Sequence, residues 1–183
     1  MNLETERLLL KLPQLEFAET CAAYYERNKE FLSEFEPMRD AEFYTAAYQR
    51  NLLVNEQTQV EARTAYPFYI FRKEEPDVMV GKINLNSIVW GAFCSCYVGV
   101  KMDKDFINQG YMTEAEKAVI AYAFDVLGLH RIEANIMPRN KRSLRLAEKC
   151  GFQYEGLSEK YLNINGVWED HVHMVIRNHK MEM

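Results

Sequence analysis

The stretch from Asp103 to Leu127, DKDFINQGYMTEAEKAVIAYAFDVL, constrains the chain most. An apolar strand gives way there to a polar loop and then to an amphipathic helix. Ala115, Ala118, Val119, Tyr122 and Val126 recur at helical spacing, Thr113 and Glu116 have capping-box spacing, and Gly128 is placed to end the helix. The helix therefore begins next to Gly110. Its first backbone N–H groups lack intrahelical partners and carry the positive end of the helix dipole, so a phosphate fits against Asn108 to Thr113. Taken alone, a glycine before a helix is more often only a turn.

The rest of the chain alternates in period. Glu6 to Leu12 reads as a strand stopped by Pro13, and Leu15 to Phe35 as a helix interrupted by Pro37. A second helix runs from Ala41 to Gln59, where Tyr44, Ala47, Tyr48 and Leu52 recur at three and four and read as a core stripe. Strands follow at Tyr66–Arg72, Val78–Val89 and Phe93–Met102, the last leading into the loop. After the main helix come a strand at Arg131–Met137, a helix at Lys141–Cys150 and extended segments at Phe152–Ile164 and Val167–Arg177. Asn165-Gly166 joins these last two and is the strongest hairpin signal in the chain, because a type I′ turn needs two positive φ values. The polar tail from Asn178 is expected to fray. The fold class that follows is mixed α/β (α+β) in one domain, 1–183: a central, mostly antiparallel sheet of about seven strands with helices on both faces.

Composition narrows the function. With 183 residues, 48% of them hydrophobic and 27% charged, the chain suits one globular domain with a proper core. It has no apolar run long enough to cross a bilayer, and MNLETERLLLKLP lacks the order of a signal peptide, so no membrane partner and a cytoplasmic location are expected. Cys21, Cys94, Cys96 and Cys150 make no pair of zinc half-sites and read as structural thiols, so no metal is expected. A net charge of −5 argues against wrapping duplex nucleic acid and favours basic partners. The acids concentrate early, between Glu16 and Glu42, where a solvated helical face explains them about as well as an acceptor site does.

A second motif follows the helix: Pro138-Arg139-Asn140-Lys141-Arg142-Ser143, then a short helix closing in Cys150-Gly151-Phe152. Together the two stretches resemble the acyl-CoA motifs of the GNAT superfamily of N-acetyltransferases. Gly110 occupies the glycine slot of the first, while Ile107 and Met112 depart from it, so the loop lacks a side-chain cation of its own. AYYERNKEFLSEFEPMRD, the segment Val89–Gly99 and YLNINGVWEDHV resemble the RimJ branch, whose members acetylate the N-terminal alanine of a ribosomal protein. The resemblance implies acetyl-CoA as donor. It places the thioester arm on backbone near Val98, Val100 and Met102, and the pyrophosphate on Gln109, Gly110, Tyr111, Met112 and Thr113. Asn140 would orient the pantetheine or a water, a role compatible with an N-cap.

The implied chemistry is attack of an amine on a thioester, through a tetrahedral oxyanion and a departing thiolate. Such a reaction needs a neutral amine, an oxyanion donor and a proton for the thiolate. Many relatives carry an acidic tyrosine where this chain has Ala147; Ser143 is the candidate replacement, with helix capping as its plainer reading. No carboxylate base stands on the strand before the loop. Glu133 is the nearest acid on the neighbouring strand and reads better as a solvent-facing residue. An α-amine, with pKa ~7.7–8.0 against ~10.4 for lysine, needs the weaker base, so an N-terminal acceptor fits such a site. Phe35, Glu36, Met38 and Trp168, in two regions that flank the cleft mouth in the family, are the candidate acceptor contacts. Glu34, Glu36 and Asp40 would favour a basic, ribosomal chain. The alternatives are a small-molecule amine acetyltransferase and a weakly catalytic acyl-CoA-binding or ribosome-associated protein.

Overall fold

The structure, a computed structural model, describes residues 2–182. In chain order its elements are β1 (Asn2–Glu4), β2 (Leu8–Lys11), α1 (Ala18–Ser33), α2 (Ala46–Glu61), β3 (Tyr66–Arg72), β4 (Glu75–Val89), β5 (Ser95–Met102), α3 (Tyr111–Ala121), β6 (Arg131–Ile136), α4 (Lys141–Lys149), β7 (Gln153–Ile164) and β8 (Val167–Arg177). All eight strands form one sheet in the order β1-β2-β3-β4-β5-β6-β8-β7. Every pairing is antiparallel except β5–β6, whose connection through α3 is long enough to return the chain in the same direction. The eighth strand arises because the first expected one is a small hairpin: Thr5 N–H donates to Leu8 O, and Leu3 lies opposite Leu10.

Period-2 alternation splits the core between the two sheet faces. On β3, Phe68 and Ile70 join Leu8, Leu10, Ile83, Leu85, Val119 and Ile132 under α3, while Tyr69 and Phe71 join Phe17, Cys21, Tyr24, Leu53 and Met79 under α1 and α2. Helices therefore cover both faces, as the pattern predicts. The early helices start later than expected. A 3-10 turn at Leu15–Phe17 precedes α1, and another at Ala41–Tyr44 precedes α2, whose N-cap Thr45 accepts from Tyr48 N–H at 3.2 Å. That offset rotates the stripe: Phe43, Gln49 and Leu53 are buried, whereas Tyr48 is 39% exposed.

The Asn165-Gly166 turn forms as expected, with φ of 53° and 87°. The tail does not fray. Asn178 is buried, its N–H donates to His130 O, and Glu182 meets His130, Arg177 and His179. Among the described residues all four cysteines are free, no helix is long and apolar enough to cross a membrane, and no group of three potential metal ligands comes together.

Candidate active site

The centre of the sheet is open on one side. β5 and β6 pair only over Ser95–Arg131, Cys96–Ile132 and Tyr97–Glu133, and beyond that rung they part. β6 continues against β8 as far as Ile136–Val172, while β5 stays with β4 to Met102. The β6-facing edge of Val98–Met102 is therefore left without a strand partner, a row of backbone donors and acceptors inside the molecule.

β5 then enters the loop, and buried groups fix how it does so. Asp103 is fully buried and accepts from Arg27 Nε at 2.6 Å and Asn28 Nδ2 at 3.0 Å, which ties the strand end to α1. Gly110 is the N-cap of α3 with φ of 82°, a conformation that glycine adopts without strain. No side chain caps this helix, so the expected Thr113–Glu116 capping box does not form; Glu116 turns into the core instead. The loop is braced from the far end of the chain. Glu114 accepts from Arg7 Nε at 2.7 Å and Arg7 N–H at 2.9 Å, and Arg7 Nη1 donates to Gln109 O at 3.1 Å. Burial alone would raise the Glu114 pKa, but these bonds and one from Thr5 more than offset it and hold the group below the ordinary carboxylate range.

A cavity of about 580 Å³ lies at this point, between the β5 end, the start of α3 and one face of α4. Of the residues expected at the donor site, Val100, Met102, Gly110, Tyr111, Met112, Thr113, Asn140 and Ser143 line it. Val98 and Gln109 do not. The Val98 side chain is packed in the core under α3, and the Gln109 side chain folds back to Asp105 O at 2.9 Å. Asn140 caps α4, its Oδ1 accepting from Ser143 N–H at 3.1 Å, so Ser143 receives the cap through its backbone and is itself one of the residues that line the cavity. Sequence reasoning missed the positive charge. Arg142, Arg145 and Lys149 line the cavity from α4, and their spacing of three and four was the available signal. Arg7, a hundred residues from the loop in sequence, has Nη2 only 3.4 Å from where a Cβ on Gly110 would be, a proximity no local pattern reveals.

The acetyltransferase (GNAT) domain family matches residues 7–153. The chain belongs to this family. An Escherichia coli K12 protein named [Ribosomal protein uS5]-alanine N-acetyltransferase is 37% identical over 94% of this chain and 88% of its own. Bacillus subtilis YjcK, named as an N-acetyltransferase, is 41% identical over 82% and 83%. The crystal structure of a ribosomal-protein-S5-alanine acetyltransferase from Vibrio fischeri superposes with a TM-score of 0.92 at 31% identity, covering 97% of each chain.

The other side of this GNAT acetyltransferase's sheet opening differs from expectation. Glu133 is not solvent-facing: its side chain is 13% exposed and accepts from Arg131 Nη2 and pairs with His173 Nδ1, both at 2.7 Å. Burial pushes its pKa up, but the Arg131 and His173 partners outweigh burial and hold it low. Phe35 and Glu36 line the cavity, whereas Met38 and Trp168, at 73% and 59% exposure, stand outside it. Glu36 is ion-paired with Lys101 of β5 and so is not free to recruit a basic chain. Nor is the mouth open between the two flanking regions. Asn165 Oδ1 accepts from Met38 N–H at 2.7 Å, and its Nδ2 donates to Ser33 O and Glu36 O at 3.3 and 3.2 Å.

Proposed function

We propose that this acetyltransferase moves an acetyl group from acetyl-CoA to the N-terminal α-amine of a protein, an alanine-starting ribosomal protein, by direct attack on the thioester. The cavity at the foot of the strand opening carries the proposal. An unpaired β5 edge suits the amides of the pantetheine arm, the bare N-terminus of α3 suits the pyrophosphate, and Arg142, Arg145 and Lys149 suit the remaining phosphate charge. The acceptor class is supported by the name of the E. coli relative and by the negative balance of the chain.

Intact-mass analysis of ribosomal proteins incubated with enzyme and acetyl-CoA tests it. One added acetyl group on the N-terminal residue of an alanine-starting protein is expected; acetylation confined to small-molecule amines or to internal lysines would overturn the acceptor assignment. With peptides, kcat/KM for a basic alanine-starting sequence should fall as salt rises, and that for a neutral one should hardly move, because steering is screened over ~10 Å at 0.1 M salt.

Asn140 and Ser143 separate by a second measurement. Asn140→Ala removes the α4 cap and should cost ~1 kcal/mol of stability while weakening acetyl-CoA binding. Ser143→Ala leaves the cap bond to its backbone intact, so a loss of kcat without loss of stability is the result expected if its hydroxyl protonates the thiolate. Wild-type kcat in the Ser143→Ala variant would remove Ser143 from the chemistry.

A further inference from the structure

Three strands on the far side of the opening carry a hydrogen-bonded chain that the reading above leaves unused. Ser158 Oγ on β7 is 2.7 Å from His173 Nε2 on β8, and His173 Nδ1 is 2.7 Å from Glu133 Oε1 on β6. An ionised carboxylate can only accept, so the imidazole carries its hydrogen on Nδ1, presents the Nε2 lone pair, and takes the Ser158 O–H as donor. Arg131 bonds Glu133 and also Glu155, which keeps Glu133 ionised. The imidazole also faces Tyr161, whose ring stands edge-on to it at 5.2 Å and packs against His171 as well, and Asn135 lies opposite it on β6.

The position of this chain gives it a use. Ile132, Ala134 and Ile136 face α3, so Glu133 and Asn135 face the opposite side, where Glu36 and the Asn165 turn meet. Glu133 also belongs to the last rung, with Tyr97, before β5 and β6 part. His173, at 19% side-chain exposure, is shielded without being sealed.

We propose that Ser158, His173 and Glu133 form a proton relay that deprotonates the acceptor amine; the inference rests on the amine-acetyltransferase reading. The bound ammonium gives a proton to Ser158 Oγ as the Ser158 proton passes to His173 Nε2, leaving a neutral amine and an imidazolium held against Glu133. The amine lone pair then forms the N–C bond. As the tetrahedral adduct collapses, the C–S electron pair leaves with sulfur and the second N–H proton ends on the thiolate. The imidazolium returns its proton to water, so one proton is released per amide formed. Ser158 touches the amine, and Glu133 is a positioning residue.

The test is the pH dependence of kcat/KM for an alanine-starting peptide. In the wild type the acid limb should lie below that of the amine itself, ~7.7–8.0, and in His173→Gln it should move up to it. The rate at pH 7 should fall by about 100-fold, within the usual reach of general-base catalysis. Glu133→Gln, which deprives the imidazolium of its anion, should shift the limb below that of the wild type. An unshifted limb in His173→Gln, with a rate lowered equally at every pH and a lower Tm, would mean that the chain only cross-links strands and would overturn the relay. Should His173→Gln fail to fold, Ser158→Ala decides: wild-type kcat in that variant overturns the relay, and a tenfold or larger loss with unchanged acetyl-CoA affinity supports it. If the wild type acetylates only small amines yet shows the same limb shift, the relay stands and the protein-acceptor reading falls. A wild type inert toward every amine would overturn both.

Discussion

Gly110→Glu should abolish acetyl-CoA binding in a protein that still folds. The φ of 82° at Gly110 turns the chain so that α3 starts with no side-chain cap bond, and the N–H groups of Tyr111, Met112 and Thr113 are left without helical partners. A Cβ here would come within 3.4 Å of Arg7 Nη2, so a glutamate would set its carboxylate against the same positive region that a pyrophosphate would use. Bulk and like charge then act together, and the dissociation constant should rise by more than ~100-fold, or about 3 kcal/mol. The left-handed backbone conformation costs ~1–2 kcal/mol for a residue with a Cβ, less than a typical domain stability of ~5–15 kcal/mol, so folding survives. Gly110→Ala separates the two effects, carrying the backbone cost without the charge. Calorimetry showing wild-type affinity in folded Gly110→Glu would remove the loop from the donor site.

The largest effect on stability is expected at Glu116. Its carboxyl is 2% exposed, Oε2 has no hydrogen-bond partner, and burial pushes its pKa up to about 7, the Cys150 thiol offsetting this only in part. A raised folded value means that the neutral form is the one the core tolerates. Its contribution is therefore fully present below the unfolded pKa of 4.5 and is lost as pH rises through about 7. The rise from 4.5 to about 7 corresponds to ~3 kcal/mol at the alkaline limit. Glu116→Gln should accordingly match the wild type near pH 5 and exceed it at pH 8.5, by several degrees in Tm for a chain of this size. A Tm difference that does not change with pH would show that the carboxyl is not buried as described.

How much of this was legible in sequence depended on the range of the interactions. The Asn165-Gly166 turn, the α4 cap at Asn140 and the start of α3 at Gly110 are local events, and residue type alone specified them. The boundaries of α1 and α2 were misplaced because short 3-10 turns satisfy the same apolar spacing as an α-helix for a few residues. T-x-x-E spacing marks Glu116 as half of a capping box, although that spacing is the same whether the glutamate reaches back or turns inward. Arg7, Glu133 with His173, and Glu36 with Lys101 were out of reach for a different reason. Each partnership joins segments that only the sheet order brings together, and no one-dimensional period encodes that.

The Asn165 bonds to Ser33, Glu36 and Met38 do more than hold two loops in place. Glu36 is anchored to β5 through Lys101, and the Asn165 turn extends from β7 and β8, so the contact spans the parted strands from one bank to the other. A furrow that would otherwise lie open along its length thus acquires a roof. A polypeptide that continues in both directions can be laid into a furrow, but it cannot be passed sideways under a roof; only something with a free tip can be threaded. On the proposed N-terminal reading, the three bonds would select by the connectivity of the substrate, admitting a free tip such as a chain end and excluding the middle of a backbone.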